Sequence, residues 1–153
     1  MTIKLAEVTR RNFHAVIGLQ VDDAQQGYVA SNLYSLAEAK FHASYYPRAI
    51  YLDDAPVGFL MYALNERPDG RYHCEIFRFM VDKYCQGQGV GREAMALALA
   101  EIWELGTVDR VTICYVPSNP VARDFYGSFG FVEVGSSPVS GEITAEIRAE
   151  NGR

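Results

Sequence analysis

QGQGVGREAMALALAEIWEL (residues 86–105) sets glycines at 87, 89 and 91 immediately ahead of a long, apolar-rich helical pattern. A chain uses glycine this densely where its backbone must bend sharply or lie close to something else. Three explanations compete. A phosphate-binding P-loop fails, because the Lys-Ser/Thr pair that handles phosphate and metal is absent. A dinucleotide loop nearly fits, yet the position three past Gly89 is Arg92, so the G-x-G-x-x-G spacing is not met. Nor does an acid about twenty residues on close a βαβ unit, since Gly106 falls in a turn and Asp109 begins the next strand. The remaining readings are a plain strand-to-helix turn and an anion cradle. In the cradle, backbone N–H groups of Gly87, Gly89, Gly91 and Arg92 point at an anion seated on the helix N-terminus, where the dipole favours it. A diphosphate is the expected anion.

Working outward, Ile3 to Val8 alternates like a short strand, and Thr9 is placed to cap a helix whose apolar face is Phe13, Val16, Ile17 and Leu19. A second helix is expected through DDAQQGYVASNLYSLAEAKF (residues 22–41), broken near Gly27. RAIYLDD and APVGFLMYAL read as two strands joined by an Asp-Asp turn. RPDG is a further turn before a long strand, Tyr72 to Val81. The helix after the glycines ends at Gly106. RVTICYV is a strand stopped at Pro117 to Pro120. VARDFYGSFG is a short helix closed by Gly130, and FVEVG and GEITAEIRAE are closing strands. The order β-α-α-β-β-β-α-β-α-β-β predicts one mixed α/β domain over residues 1–153.

Composition bounds the function. A formal net charge of −5 argues against a nucleic-acid partner, which needs clustered Lys and Arg, and it suits a cationic substrate. Cys74, Cys85 and Cys114 match no paired metal spacing and read as free thiols in a reducing compartment. His14, His42 and His73 show no metal-ligand spacing either. The N-terminal residues lack signal-peptide order and no apolar run is long enough to cross a bilayer. The expectation is a soluble, cytoplasmic, metal-free protein with no membrane partner.

The stretch Gln86-Gly87-Gln88-Gly89-Val90-Gly91 resembles the Q/R-x-x-G-x-G/A signature of the GNAT superfamily of acetyl-CoA-dependent N-acetyltransferases. FMVDKYCQGQGVGREAM is similar to that family's fourth strand running into its third helix, and NPVARDFYGSFGFVEVG to its second motif. The resemblance implies a GNAT fold, α/β (α+β): a mixed sheet of about seven strands, splayed between the fourth and fifth and flanked by about four helices. It implies acetyl-CoA as donor, with its pyrophosphate on Gln86 to Arg92. Phe79, Met80 and Val81 would offer backbone to the pantetheine arm and an oxyanion hole. Asn119 and Ala122 would meet the same arm, although Asn119 before Pro120 also suits a helix cap. Tyr126 matches the tyrosine that many members place near the thiol as general acid. A packed aromatic beside Phe125 and Phe129 is the plainer reading. Family members often form homodimers, and the apolar closing strands allow that here.

At the base the sequence departs from the family pattern. The position that commonly carries glutamate in polyamine-acetylating relatives corresponds to Phe77. Glu75 lies two residues earlier, on the same face by strand alternation and roughly 7 Å along, and can serve as base through water or as a cation site. By the same alternation Arg78 faces the opposite way, where it can pair with a carboxylate inside. LQVDDAQQGYVASNLYSLAEA resembles the corresponding stretch of bacterial spermine/spermidine acetyltransferases. A polycation needs spaced carboxylates and aromatic faces, for which Asp22, Asp23, Glu38 and Glu75, with Tyr28 and Tyr34, are the candidates. The expected reaction is direct acetyl transfer to a small-molecule amine, best a polyamine such as spermidine or spermine. The alternatives are another amine (an amino acid, an aminoglycoside-like drug or a protein N-terminus) and an acyl-CoA-binding regulatory module without turnover.

Overall fold

Seven extended segments spread along the chain build one sheet, in a protein that the computed structural model describes over residues 1–22 and 30–149. The elements are β1 (Ile3–Glu7), α1 (Phe13–Ile17), α2 (Asn32–Ala39), β2 (Tyr45–Leu52), β3 (Ala55–Glu66), β4 (Tyr72–Val81), α3 (Val90–Glu104), β5 (Val108–Tyr115), α4 (Pro120–Gly127), β6 (Val132–Ser136) and β7 (Ile143–Arg148). The order in the sheet is β1-β2-β3-β4-β5-β7-β6. Every pairing is antiparallel except β4 with β5, where α3 supplies the crossover that a parallel pair requires. Element order and fold class agree with the expectation, and the matching of strands to segments holds throughout.

One local expectation is corrected. Thr9 does not cap α1: its hydroxyl accepts from the Arg11 N–H at 3.2 Å in the preceding turn, and the helix begins only at Phe13. Of the segment expected as a second helix, the described part is α2, which starts at Asn32 because Ser31 turns extended (φ −64°, ψ 154°) and its side chain caps the Tyr34 N–H. The break expected near Gly27 lies outside the described residues. The expected sites Asp23 and Tyr28 lie outside the described residues.

The sheet buries both faces. On one, α3 inserts Val90, Ala94, Met95, Ala98 and Ile102 at helical spacing against Ile50, Leu60, Ile76, Val111 and Ile113. On the other, Val16 of α1 packs on Ala49, Phe59, Met61 and Met80. Full burial of each larger aliphatic side chain is worth roughly 1.5–3 kcal/mol. One close approach fixes the centre: a Cβ on Gly58 would meet the Met80 carbonyl at 2.6 Å, so β3 can lie against β4 there only as glycine.

β4 carries the feature that shapes the site. Its register with β3 runs Tyr62↔Ile76 and then Met61↔Arg78, which leaves Phe77 as the extra residue of a β-bulge. Above the bulge, Cys74 and Ile76 face α3. Below it, Phe79 and Val81 do. The ladder to β5 ends at Ile76↔Ile113, so β4 and β5 diverge from Phe77 onward and leave main-chain groups of both unpaired along the gap.

Candidate functional site

The glycine segment joins the end of β4 to α3. Gln86 fastens it by donating through Nε2 to the Val81 carbonyl at 2.9 Å. Gly87 and Gly89 take φ of 79° and 82°, the left-handed region that glycine enters without steric cost. A Cβ on either would touch nothing within 4 Å, so the demand for glycine is one of dihedral angle and open approach, not of crowding. Gly89 is the residue before the first turn of α3, and Glu93 is the position whose N–H reaches back to its carbonyl, at 3.2 Å. The N–H groups of Val90, Gly91 and Arg92 therefore have no carbonyl within the helix to bond. The Val90 side chain is buried in the core and Gln88 is exposed. This is an open, backbone-lined, dipole-favoured seat for an anion.

From that seat a cavity of about 520 Å³ runs along Phe79, Met80 and Val81 to Phe125 and Tyr126 of α4. The Arg92 guanidinium lies over the rings of Phe125 and Phe129, at 5.7 and 5.1 Å from their centroids. A second cavity, of about 80 Å³, fills the gap between β4 and β5 below Ala122, and Phe79 and Tyr126 border both. A third, of about 300 Å³, opens beside the first across Val21 and Met80, toward Ser31 and Asn32. Asn32 is itself buried, donating to the Val16 carbonyl at 2.9 Å.

Tyr126 sits where the long cleft and the small cavity meet. Its ring stacks on Tyr115 with centroids 5.9 Å apart and meets Phe125 and Phe131 edge-on. Its hydroxyl makes no hydrogen bond among the described residues, and burial pushes it up to about 12. It is therefore an O–H donor throughout the physiological range. Asn119 caps α4, accepting from the Ala122 N–H at 3.2 Å, and Pro120 occupies the first helical turn as expected of its fixed φ.

The bulge overturns one expectation. Arg78 does not face away from Glu75; with one extra residue at 77, both Phe77 and Arg78 turn to the α2 side. There Arg78 donates to the Ser35 hydroxyl at 3.1 Å and to Glu38 at 3.0 Å. Glu38, expected as a substrate carboxylate, is thereby engaged in an ion pair inside the protein. Glu75 is half-buried with no hydrogen bond among the described residues. Its pKa is raised, first by burial, with Arg78 opposing and Glu142 adding to the rise. Tyr34 is exposed in a groove with Phe41 and His42 on the outer side of α2 and borders none of the three cavities above. Asp22 is exposed beside Val21.

Glu142 and Cys114 border the small cavity without any sequence signal to single them out. Glu142 is one acid ahead of a closing strand, the pattern of any solvated carboxylate. Among the described residues no group of three or more His, Cys, Asp or Glu could hold a metal ion, and no helix is long and apolar enough to cross a membrane.

Comparison with known proteins follows the same outline. The family described as "Acetyltransferase (GNAT) family" matches residues 10–131. Spermine/spermidine N(1)-acetyltransferase of Bacillus subtilis (strain 168) is 30% identical over 147 residues, covering 93% of this chain and 95% of that one. Among solved structures, an acetyltransferase from Thermus thermophilus superposes with a TM-score of 0.76 at 22% identity, covering 97% of each chain. A PaiA N-acetyltransferase from Thermoplasma acidophilum, solved in complex with coenzyme A, gives 0.71 at 13% identity, covering 97% of this chain and 99% of that one.

Proposed function

The chain belongs to the GNAT acetyltransferase family, and from that premise we propose that it moves the acetyl group of acetyl-CoA directly to a primary amine of a polyamine such as spermidine or spermine. The observation that carries this is the meeting of the two cavities at Tyr126: a long cleft with an anion seat at one end opens, at the other, onto a narrow gap with carboxylates beside it. The similarity to a spermine/spermidine acetyltransferase over nearly the whole chain supports the choice of amine.

The residues fit the donor. Gly87, Gly89 and the first-turn N–H groups of α3 would hold its diphosphate, and the unpaired main chain of Phe79 to Val81 its pantetheine arm. When bound, the donor supplies an activated thioester. Alternate N–H groups on the open edge of β4 are placed to steady negative charge on the acyl oxygen. Phe79, Val81 and Phe125 give the corridor an apolar wall. Tyr126 presents its O–H at the junction. With its pKa raised, it parts with a proton only as another arrives, so it suits a donor resupplied by the nitrogen proton that amide formation releases. Glu75 is the carboxylate on the acceptor side of β4, and its raised pKa brings it closer to the useful range of a base. No covalent enzyme intermediate is needed, because attack by the free amine completes the transfer.

Steady-state assays across polyamines, amino acids, aminoglycosides and peptide N-termini test the reading. Turnover of spermidine or spermine at the highest kcat/KM is expected. Turnover confined to another class sinks the polyamine assignment, and coenzyme A binding without turnover of any amine sinks the enzymatic one.

A further inference from the structure

We infer that Glu142 is the carboxylate that receives the cationic end of the acceptor at the gap between β4 and β5, on the opposite side of the small cavity's lining from the cofactor cleft. This rests on the acetyl-transfer reading above and adds to it a residue from an element that reading does not use.

The polar groups around the small cavity leave few alternatives. Arg78 is neutralised by Glu38 and bound to Ser35. The Cys114 thiol pairs with the Thr144 hydroxyl at 3.4 Å. The Tyr115 hydroxyl donates to Glu133 at 2.5 Å on the α4 side. Tyr126 serves the cofactor cleft as well. Ile76, Phe77, Phe79 and Ala122 supply apolar wall. Glu142 is the one carboxylate in the lining, and its side chain has no hydrogen bond or ion pair among the described residues.

Its position is built and not incidental. The β6–β7 connection is closed by the Ser137 N–H on the Glu142 carbonyl (2.9 Å) and the Gly141 N–H on the Ser137 carbonyl (2.8 Å). The Glu142 N–H donates to the Ser140 hydroxyl at 3.2 Å, and Gly141 takes the positive φ, 76°, that the turn requires. The backbone that carries the carboxylate is thus held from both sides. Glu75 lies close enough to sense Glu142 but does not line the cavity. Since Arg78 and Glu38 cancel, the two glutamates give the gap a net negative charge that favours a cation. A space of about 80 Å³ has room for the end of an alkylamine.

The experiment measures acceptor binding apart from turnover. Spermidine is titrated calorimetrically into protein saturated with coenzyme A, for wild type, Glu142→Gln, Glu142→Asp and Glu75→Gln, and KM values for amine and acetyl-CoA are measured in parallel. Glu142→Gln is expected to weaken spermidine binding and raise its KM about 10- to 100-fold, with the KM for acetyl-CoA changed less than about twofold and the melting temperature preserved. Glu142→Asp recovers part of the loss. Equal spermidine binding by wild type and Glu142→Gln overturns the inference, as does a wild type that binds no diamine or polyamine. If wild type binds spermidine through Glu142 but acetylates nothing, the site stands and the acetyl-transfer reading falls.

Discussion

Tyr115 and Tyr126 lie ring on ring, their centroids 5.9 Å apart and their planes 16° from parallel. Tyr115 is in turn anchored through Glu133, which also accepts from Arg123 at 3.1 Å. The plane of the proposed acid is therefore set by β5 and β6 together with its own helix, which supplies Phe125 at the ring's edge and Arg123 on Glu133. Replacing Tyr126 with Phe keeps the stack and removes only the O–H.

For Tyr126→Phe we expect kcat to fall roughly 10²–10³-fold, the usual worth of a positioned proton donor, with coenzyme A binding and melting temperature unchanged. The same residue predicts the alkaline side of the pH–rate profile. Because burial lifts its hydroxyl to about 12, no loss of rate through its ionisation should occur up to about pH 11. A thiol-release assay from pH 6 to 10.5 checks both, and a wild-type tyrosine limb near pH 10 would show that the hydroxyl is not desolvated.

Gly89→Ala separates backbone strain from ligand approach. Open space surrounds the position, so the fold loses only the cost of holding alanine at φ 82°, about 1–2 kcal/mol. A methyl group over the anion seat should weaken coenzyme A binding at least about tenfold, that is by a further ~1.4 kcal/mol. Calorimetric affinity alongside thermal melting tests this. Affinity unchanged in a folded variant would remove the loop from the diphosphate site.

Gly58→Ala acts by crowding instead. Its Cβ would press on the Met80 carbonyl at 2.6 Å and on Ile50 at 3.0 Å, and main chain cannot swing aside as a side-chain tip can. A loss of about 1–3 kcal/mol is expected, which at about 2–4 °C per kcal/mol for a chain of this size lowers the melting point by several degrees. Because Met80 borders the cleft, the KM for acetyl-CoA should rise as well. A melting point equal to wild type would mean that β3 and β4 have slack there.

Glu75 links the site to stability. The fold raises its pKa above the ordinary 4.5, so the native state holds the proton more tightly than the unfolded chain does. The resulting stabilisation is complete below about pH 4.5 and is lost as pH rises through the folded value. Glu75→Gln, neutral throughout, should thus melt higher than wild type at pH 7–8 and converge with it in acid. Melting curves that run parallel from pH 4.5 to 8 would contradict the burial assigned to this carboxylate.

Much of this was readable in the sequence because its signals are local. The αL glycines at 87 and 89, the Asn119 cap and the alternation of Tyr72 to Val81 each depend on neighbours within a few residues. The side of the sheet reached by Arg78 is a different kind of fact. It follows from register against β3, and an extra residue at Phe77 has no signature of its own in β4. Glu142 was hidden for the same reason: a turn sixty-odd positions from Arg78 brings it to the gap, and nothing nearby marks it. Glu38 looked like a free carboxylate because its partner lies forty residues away.

The extra residue at Phe77 works as a frameshift in three dimensions. Even-numbered side chains meet α3 before it and odd-numbered ones after it, so a single chain segment serves two chambers in succession. Pulling the strand straight with Phe77 still in it would turn Arg78 and Met80 to the α3 face, and Phe79 and Val81 to the opposite one. Deleting Phe77 would keep the present phase but remove the bend a bulge gives its strand. Side chains on either face of β4 can therefore be exchanged one by one, while the frame that sorts them between the two faces can be kept or lost only as a whole.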